Sequence, residues 1–258
     1  MTKPLTRVAV AYGDTHIPFQ DDACLRVVAK IIKSLQPDLI LNLGDLLDAH
    51  QMSMKFNVDP LWKDSLQDNI DQAVRHLDDF AALAPDARKV LLLGNHEERL
   101  ERLLKTWTGP NAEVIRLRQF QNHITWNGLF SEAGLEGWEV YPYGNQLDLE
   151  IIPNLITKHG NKVSQHSGYT AAAELRHHGR SGISGHVHRL GLHYKSDAGG
   201  NHVWCESGCT CTVRPHYTEN PNWQHGCVVI EYNASWFNMT PVFIQDGFAM
   251  FRGKEFRA

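Results

Sequence analysis

Four times in this chain, an apolar run ends at a glycine that is followed by residues with metal-binding side chains. The stretches are VAVAYGDTH (8–16), DLILNLGDLLD (38–48), KVLLLGNHEER (89–99) and ISGHVH (183–188). A short apolar run before a glycine turn is typical of a buried strand. In α/β sheets the functional residues lie just past the carboxyl ends of the strands. One such stretch would carry little information, but four in one chain predict a shared site.

The segments between these stretches predict an α/β fold. Apolar residues at helical spacing from Val27 to Leu35 follow the first strand, and Asp22 is placed to cap that helix. A second amphipathic helix is predicted over 64–83. This strand, helix, strand order favours parallel strands with a right-handed crossover. A second sheet packed against the first is predicted from the β-forming segments 202–205, 226–232, 240–244 and 248–251.

The remaining segments complete a prediction of one domain over 1–258. Residues 50–62 are predicted as a loop, 147–157 as strands and 169–178 as a short helix. The pattern of 109–144 is irregular, with scattered glycines and tryptophans, and we interpret it as an insertion that caps the site. The helix predicted after GNHE, from Glu97 to Trp107, places basic residues on its exposed side. These residues are Arg99, Arg102 and Lys105.

Composition excludes several classes of protein. The chain has 258 residues, a net charge of −4 and no apolar run near the ~20 residues that span a bilayer, so we expect no membrane partner. The N-terminal sequence shows no signal-peptide pattern, which predicts a cytoplasmic protein. Its five cysteines are an odd number without a disulfide pattern. Cys205, Cys209 and Cys211 match no common zinc spacing and are interpreted as buried, reduced thiols on a strand, with metal binding as the alternative. The sequence does not predict an oligomeric state.

Seven candidate metal ligands follow these strands and the predicted strand segment 147–157, which leads to His159. They are Asp14, His16, Asp45, Asn95, His159, His186 and His188. Imidazole nitrogens with carboxylate and amide oxygens suit a divalent transition metal, and we expect manganese before iron, zinc, nickel or cobalt. Seven ligands are too many for one tetrahedral ion, and they suit two ions that share a carboxylate. With four histidines in the set, an oxygen-only magnesium or calcium cage is disfavoured.

These motifs in this order resemble those of the calcineurin-like metallophosphoesterases. GDTH, GDLLD, GNHE, the His159-Gly160 pair and GHVH carry the resemblance, which runs from Arg7 to about His188. The resemblance implies a four-layer sandwich of two mixed β-sheets flanked by helices. It also implies that Asp45 bridges two metal ions. The first ion would be held with Asp14, His16 and His188, and the second with Asn95, His159 and His186.

The resemblance also implies two catalytic residues. His96 matches the family's catalytic histidine, which either donates a proton to the leaving oxygen or stabilises the transferring phosphoryl group. Asp48 matches the acid that orients that histidine, and a carboxylate partner keeps an imidazole protonated and aimed. The alternative for Asp48 is a helix cap. The reaction implied is hydrolysis of a phosphoester by a hydroxide that two metal ions activate.

Departures from the protein phosphatase motifs favour a phosphodiesterase. Those phosphatases carry GDxHG, GDxVDRG and RGNHE, whereas this chain has Ile17, Ala49 and Leu93 at the positions of the glycine and the two arginines. A monoester dianion requires more fixed positive charge than a diester monoanion. The paired histidines of GHVH also resemble the phosphodiesterase and nuclease branches. The alternatives are a phosphomonoesterase or protein phosphatase and, from another class, a non-catalytic metal-binding scaffold.

A nucleotide or DNA diester is the substrate class that we expect. The predicted basic helix, with Trp107, Arg116, Arg118 and Trp126 after it, could bind a nucleic-acid backbone and stack on bases. The alternative is a solvated helix face beside core aromatic residues, and the negative net charge gives the nucleic-acid interpretation no support.

Overall fold

The structure is a computed structural model that describes residues 6–53, 63–121, 123–144, 149–215 and 220–258. Residues 54–62 of the predicted loop and residues 147–148 of the predicted strands lie outside these ranges. The strands are β1 (Arg7–Tyr12), β2 (Leu39–Asn42), β3 (Arg88–Leu92), β4 (Glu139–Tyr141), β5 (Leu149–Ile152), β6 (Leu155–Lys158), β7 (Ser181–Ser184), β8 (Leu190–Asp197), β9 (Gly200–Ser207), β10 (His225–Tyr232), β11 (Phe237–Ile244), β12 (Phe248–Phe251) and β13 (Lys254–Arg257). The helices are α1 (Asp22–Leu35), α2 (Leu66–Leu83), α3 (Glu98–Lys105), α4 (Pro110–Arg116), α5 (Arg118–Gln121), α6 (Trp126–Glu132) and α7 (Tyr169–His178), with a 3₁₀ turn at His50–Met52.

The described strands form two mixed sheets and a hairpin. The first sheet has the order β11-β10-β1-β2-β3-β4, in which β1 to β4 are parallel and β10 and β11 are antiparallel to their neighbours. The second has the order β5-β6-β7-β9-β8, with β6, β7 and β9 parallel. Strands β12 and β13 pair with each other. The predicted α/β class with two mixed sheets is confirmed.

The sequence predicted that the second half of the chain forms the second sheet. This prediction is wrong for part of that half. Strands β10 and β11 extend the first sheet, and β10 lies antiparallel along β1 from the Arg7–Tyr232 pair to the Ala11–Val228 pair. The physical reason is that β1 is buried on both faces and has β2 on one side only. Its backbone groups on the other side need a partner strand, which β10 supplies.

Side-chain alternation along the strands builds four layers. Ala9, Ala11 and Leu41 of the first sheet pack against the second sheet, where they meet Leu155 and Ile183. The opposite face of the first sheet packs against α1, α2 and α6 in the larger core cluster. The outer face of the second sheet packs on α7. Parallel strands that are covered on both faces are apolar throughout, which explains the uninterrupted runs in the sequence.

Local chemistry fixes where the long helices begin. The side chain of Asp21, and not that of Asp22 as predicted, caps α1 by accepting the N–H of Cys24 at 2.7 Å. Ser65 and Asp68 form a capping box at the start of α2. Among the described residues, no helix is long and apolar enough to cross a bilayer.

The segment 109–144 supplies α4, α5, α6 and strand β4. Trp126 and Phe130 of α6 are buried in the larger core cluster, and the Trp126 indole N–H donates to the carbonyl of Glu97. This part of the segment is therefore anchored beside the GNHE turn. Its role as a cap stays a prediction.

Candidate metal centre

The carboxyl ends of five parallel strands bring the seven candidate ligands together. Asp14 and His16 follow β1, Asp45 follows β2, and Asn95 follows β3 in the first sheet. From the second sheet, His159 follows β6, and His186 and His188 follow β7. The two sheets pack face to face, so their strand ends open onto one site.

The backbone at these strand ends is unusual. Five of the seven candidate ligands have positive φ although none is glycine, and they are Asp14, His16, Asp45, His186 and His188, with φ between 48° and 72°. Residues other than glycine adopt this left-handed region at an energetic cost that the surrounding structure must offset. Such strain clusters at functional sites, and here it turns the side chains toward a common centre.

One half of the site contains His16, His188 and Asp14. The Nε2 atoms of His16 and His188 are 3.0 Å apart, and His188 Nε2 is 3.3 Å from Asp14 Oδ1. The Nδ1 atoms point away from this centre. His16 Nδ1 contacts Asp48 Oδ2 at 3.1 Å, and His188 Nδ1 contacts the sulfur of Cys211 at 3.8 Å.

The other half contains Asp45, Asn95, His159 and His186. His159 Nε2 lies 3.1 Å from Asn95 Oδ1 and 3.3 Å from Asp45 Oδ2, while its Nδ1 is 2.8 Å from the carbonyl of Leu43. Donor atoms of Asp45, His159 and His186 lie within 4.8 Å of one another. His16 Nε2 is 3.6 Å from Asp45 Oδ2, so this carboxylate lies between the two halves.

Several ring nitrogens and acceptor oxygens face one another across this site, which is an arrangement that a bound cation would satisfy. The Leu43 carbonyl can only accept a hydrogen bond, so His159 donates from Nδ1 and turns Nε2 toward two acceptor oxygens. Asp48 and Cys211 contact Nδ1 of His16 and His188, so that both rings turn Nε2 toward the centre. The donor set therefore fits divalent transition metals.

The charges of the site favour the same conclusion. Burial lowers the pKa of His16, but the Asp48 hydrogen bond and nearby negative charges raise it, to about 9 overall. Burial also lowers the pKa of His159, and the Asp45 carboxylate outweighs it to give about 9. Burial, and then the charge of His159, lower the pKa of His186 to about 4, so this ring is neutral. The site thus attracts positive charge and holds a neutral imidazole ready to bind it.

His96 and Asp48, the predicted catalytic pair, are in contact. His96 Nδ1 lies 2.8 Å from the backbone carbonyl of Asp48 and 3.3 Å from its carboxylate. The same carboxylate oxygen is closer to His16, at 3.1 Å. Although burial opposes ionisation, hydrogen bonds from His16 and His96 hold the pKa of Asp48 well below its usual range. The sequence predicted that Asp48 contacts only His96. In the structure its carboxylate also contacts His16, a candidate metal ligand.

Arg99 was predicted on the exposed side of its helix, and this prediction is wrong. Only 19% of its side chain is exposed, and its guanidinium donates to the Asp48 carbonyl at 2.6 Å and to His96 Nε2 at 3.1 Å. The helix α3 begins directly after the GNHE turn, so its first turn lies at the site. Residues three apart share one side of a helix, and the spacing from His96 to Arg99 was the available signal.

Glu97 holds two of the turns together. Its buried carboxylate accepts the N–H groups of Gly94 at 2.7 Å, Leu47 at 2.8 Å and Asp45 at 3.1 Å. Close approach here requires glycine at 94, since a Cβ on that residue would lie 2.1 Å from Asp45 Oδ1. Sequence reasoning treated Glu97 as the start of a helix and missed its contact with the GDLLD turn.

Two further neighbours of His188 could not be predicted from spacing. Cys211 is buried, as expected of a reduced thiol, but it lies against the His188 ring after the end of β9. The half-buried Trp223 packs edge-on to the same ring, with centroids 4.2 Å apart. Trp223 also lines a groove with Thr212, Arg214 and His225. Both residues lie outside the motifs, far along the chain.

The residues that were predicted to bind nucleic acid are in part paired with acidic residues and in part buried. Arg102 pairs with Glu98, and Arg116 pairs with Glu113. Trp126 is only 2% exposed, so its ring cannot stack on a base. The alternative interpretation, a solvated face beside core aromatic residues, describes these residues better.

The fold and the strand-end ligands define an α/β sandwich of the phosphoesterase type. The sequence profile described as calcineurin-like phosphoesterase matches residues 8–190. The chain belongs to the calcineurin-like phosphoesterase family. This match covers the candidate ligands and both predicted catalytic residues, whereas Cys211 and Trp223 lie beyond it.

Its relatives include two bacteriophage proteins. The Gene 54 protein of Mycobacterium phage L5 is 28% identical over 193 residues, which cover 73% of this chain and 71% of that protein. The Gene 54 protein of Mycobacterium phage D29 is 27% identical over 200 residues, with the same coverage. Among solved structures, vacuolar protein sorting 29 from Cryptosporidium parvum is similar with a TM-score of 0.49 and 13% identity, over 98% of this chain and 99% of that one.

Proposed function

We propose that this chain is a phosphodiesterase that uses two divalent transition-metal ions, manganese first among them. The observation that carries the proposal is the convergence of imidazole nitrogens with carboxylate and amide oxygens on one site, where the facing atoms lie 3.0–3.3 Å apart. The proposed ligands of the first ion are Asp14, His16, Asp45 and His188. Those of the second ion are Asp45, Asn95, His159 and His186.

The ions, when bound, would supply an activated water and positive charge for the phosphoryl oxygens. The protein's own residues would position the reacting groups. The backbone carbonyl and carboxylate of Asp48 hold the Nδ1 side of His96, and the Nε2 edge faces the Arg99 guanidinium and, at 4.0 Å, Asp45 Oδ2. We propose that this imidazole stabilises the transferring phosphoryl group or donates a proton to the leaving oxygen.

A diester is favoured over a monoester by the charges near the site. Ile17, Ala49 and Leu93 are buried apolar residues where the protein phosphatase motifs have glycine and two arginines. Arg99 supplies one positive charge where those motifs have two arginines, and its guanidinium lies 3.5 Å from the Asp48 carboxylate. A substrate with one negative charge needs less fixed positive charge than a dianion.

For the organic part of the ester we propose a nucleotide, alone or in DNA. What supports this is Trp223, whose ring contacts His188 and also lines the adjoining groove with Arg214. An aromatic face stacks on any base, and an arginine binds phosphate. Trp223→Ala should therefore raise KM for a dinucleotide more than for a chromogenic diester. Trp236→Ala, which removes a tryptophan that is 57% exposed, is the control, and equal KM changes in the two variants would contradict the nucleotide proposal.

The test of the reaction uses metal-stripped protein with Mn, Fe, Zn, Ni, Co or Mg added back separately. Hydrolysis of bis-p-nitrophenyl phosphate and of p-nitrophenyl phosphate is measured for each metal. We expect a transition metal to restore diester hydrolysis above monoester hydrolysis. Asp45→Asn should abolish it, because the proposed bridging carboxylate is lost. Asp79→Asn, which makes the same change on the exposed side of α2, should leave it intact.

Each of the other possible results would indicate a different function for this chain. Monoester hydrolysis alone would identify a phosphomonoesterase or protein phosphatase. Metal binding by the wild type, lost in Asp45→Asn, without hydrolysis of any phosphoester would identify a scaffold.

A further inference from the structure

Arg99 lies beside the proposed catalytic histidine, at the edge of the candidate metal centre. Its guanidinium contacts His96 Nε2, the ring edge opposite the Asp48 carbonyl. The ring of His96 is within 4.4 Å of that of His16, centroid to centroid, and its Nε2 is 4.0 Å from Asp45 Oδ2. His96 therefore lies between the Arg99 guanidinium and Asp45, the carboxylate between the two halves of the candidate metal centre.

The contacts of Arg99 leave part of its donor capacity for a ligand. A guanidinium has five N–H groups and no acceptor atom. Nη1 donates to the Asp48 carbonyl and Nη2 to His96 Nε2. Each terminal nitrogen carries a second N–H, and the planar fork matches two oxygens of a phosphate. The side chain is 19% exposed, which is enough for a ligand to reach it and little enough to limit screening by water.

The position of the guanidinium also explains how the site manages without the arginine of the protein phosphatase motif. Position 49 holds a buried alanine, and the guanidinium bonds the carbonyl of the residue before it. A side chain from α3 thus brings a cation to the GDLLD turn. The positive charge comes from α3, three residues after His96, and not from a residue of the GDLLD turn.

We propose that Arg99 is a phosphate-binding residue, whose guanidinium donates to a non-bridging phosphoryl oxygen while it holds the His96 ring. This inference rests on the proposed function only in placing a phosphoryl group at the site. It assigns Arg99 to substrate binding, and it removes this residue from the exposed nucleic-acid face predicted from sequence.

The test compares Arg99→Ala, Arg99→Lys and the matched control Arg102→Ala. Arg102 lies on the same helix with 61% of its side chain exposed and pairs with Glu98, so its removal makes the same change in net charge away from His96. Calorimetry measures the Kd of metal-loaded protein for inorganic phosphate, and steady-state kinetics give kcat and KM for both chromogenic esters. Thermal unfolding checks that each variant is folded, and alanine is favourable in a helix.

We expect Arg99→Ala to raise the phosphate Kd and lower kcat/KM by about 10- to 100-fold, the loss typical of one charged hydrogen bond. Arg99→Lys keeps the charge without the fork and should lose less. Free guanidinium should restore part of the activity of Arg99→Ala, whereas equal sodium chloride should not. Arg102→Ala should match the wild type.

A phosphate Kd within twofold of the wild type in folded Arg99→Ala would overturn the inference, as would an equal loss in Arg102→Ala. The phosphate measurement keeps this test separate from that of the proposed function. If the wild type hydrolyses only the monoester, the diesterase proposal fails, while the Kd ratio still decides the role of Arg99.

Discussion

Asp48 shows how one carboxylate can serve two imidazoles at the residue scale. Its Oδ2 atom is 3.1 Å from His16 Nδ1 and 3.3 Å from His96 Nδ1. A carboxylate that accepts from the Nδ1–H of a metal-binding histidine orients the ring and raises its basicity. Asp48 therefore connects the proposed metal ligand with the proposed catalytic residue. This role goes beyond the orientation of His96.

Asp48→Asn should weaken both functions. The amide is the same size but carries no charge and puts a donor in place of one acceptor oxygen. We expect about a 10-fold loss of metal affinity and, at saturating metal, about a 10-fold or greater loss of kcat. Chelator competition measures the first and ester hydrolysis the second. A loss of kcat with unchanged metal affinity would show that Asp48 acts on His96 alone.

Cys211 is the residue-scale partner of His188, at 3.8 Å from Nδ1. In Cys211→Ala the Nδ1–H would lose this acceptor, and we expect metal affinity to fall about 10-fold. The control is Cys205→Ala, which removes another buried thiol, on β9. It should lower stability without changing metal affinity. Equal affinities for metal in the two variants would argue against this role for Cys211.

At the scale of elements, the GNHE turn and the GDLLD turn are one unit. Glu97 accepts three backbone N–H groups from the two turns, and burial, then the charge of Asp45, raise its pKa. A Cβ at Gly44, where φ is +100°, would lie 2.8 Å from His159 Nδ1, so the second sheet also closes against this unit. The geometry of the candidate ligands therefore depends on groups that bind no metal.

Glu97→Ala should destabilise the protein, because three buried N–H groups would lose their acceptor. We expect a loss of about 2–4 kcal/mol in the free energy of unfolding. Urea denaturation of the metal-stripped protein measures it without any contribution from metal binding. The neighbouring Glu98→Gln breaks only a surface pair with Arg102 and should change stability by less than about 1 kcal/mol. Equal effects of the two changes would refute this role for Glu97.

The elements also show what a single sequence can predict. The apolar runs and helical spacing were sufficient for β1, α1 and β2, because their burial and connection are local properties. The side chains at strand ends could be named for the same reason. The partner strand of β10 could not be predicted, since a pattern of β-formers identifies a strand but not the edge to which it adds. The direction of Arg99 depends on the turn before α3, and Cys211 meets His188 only through the fold.

At the scale of the whole molecule, the site lies where two sheets present the ends of their parallel strands. The first sheet contributes four candidate ligands and the second contributes three. Because residues from both sheets are proposed to bind the same ions, metal would join the two layers across their packed faces. In that case metal binding would stabilise the same edge of the sandwich that carries the proposed reaction.

The sandwich also contains a half-buried histidine away from this site, between α2 and β1. His76 of α2 accepts a hydrogen bond from the Tyr12 hydroxyl at 3.2 Å and packs against Phe80, with centroids 4.3 Å apart. Burial lowers its pKa to about 4. Its unfolded pKa is about 6.5, so below that pH the unfolded chain binds a proton that the folded chain excludes. Stability from this group is present above pH 6.5 and is lost as pH falls toward 4.

His76→Gln should therefore narrow the difference in stability between neutral and acidic pH. We expect the wild type to lose about 3 kcal/mol more than the variant between pH 7 and pH 4. Urea unfolding of metal-stripped protein across this range measures the difference, and subtracting the two proteins cancels the titration of the site histidines they share. His193→Gln, on the exposed face of β8, controls for the removal of an imidazole. A constant difference between wild type and His76→Gln from pH 7 to pH 4 would mean that the folded protein admits the proton, and that the contact between α2 and β1 tolerates a charge.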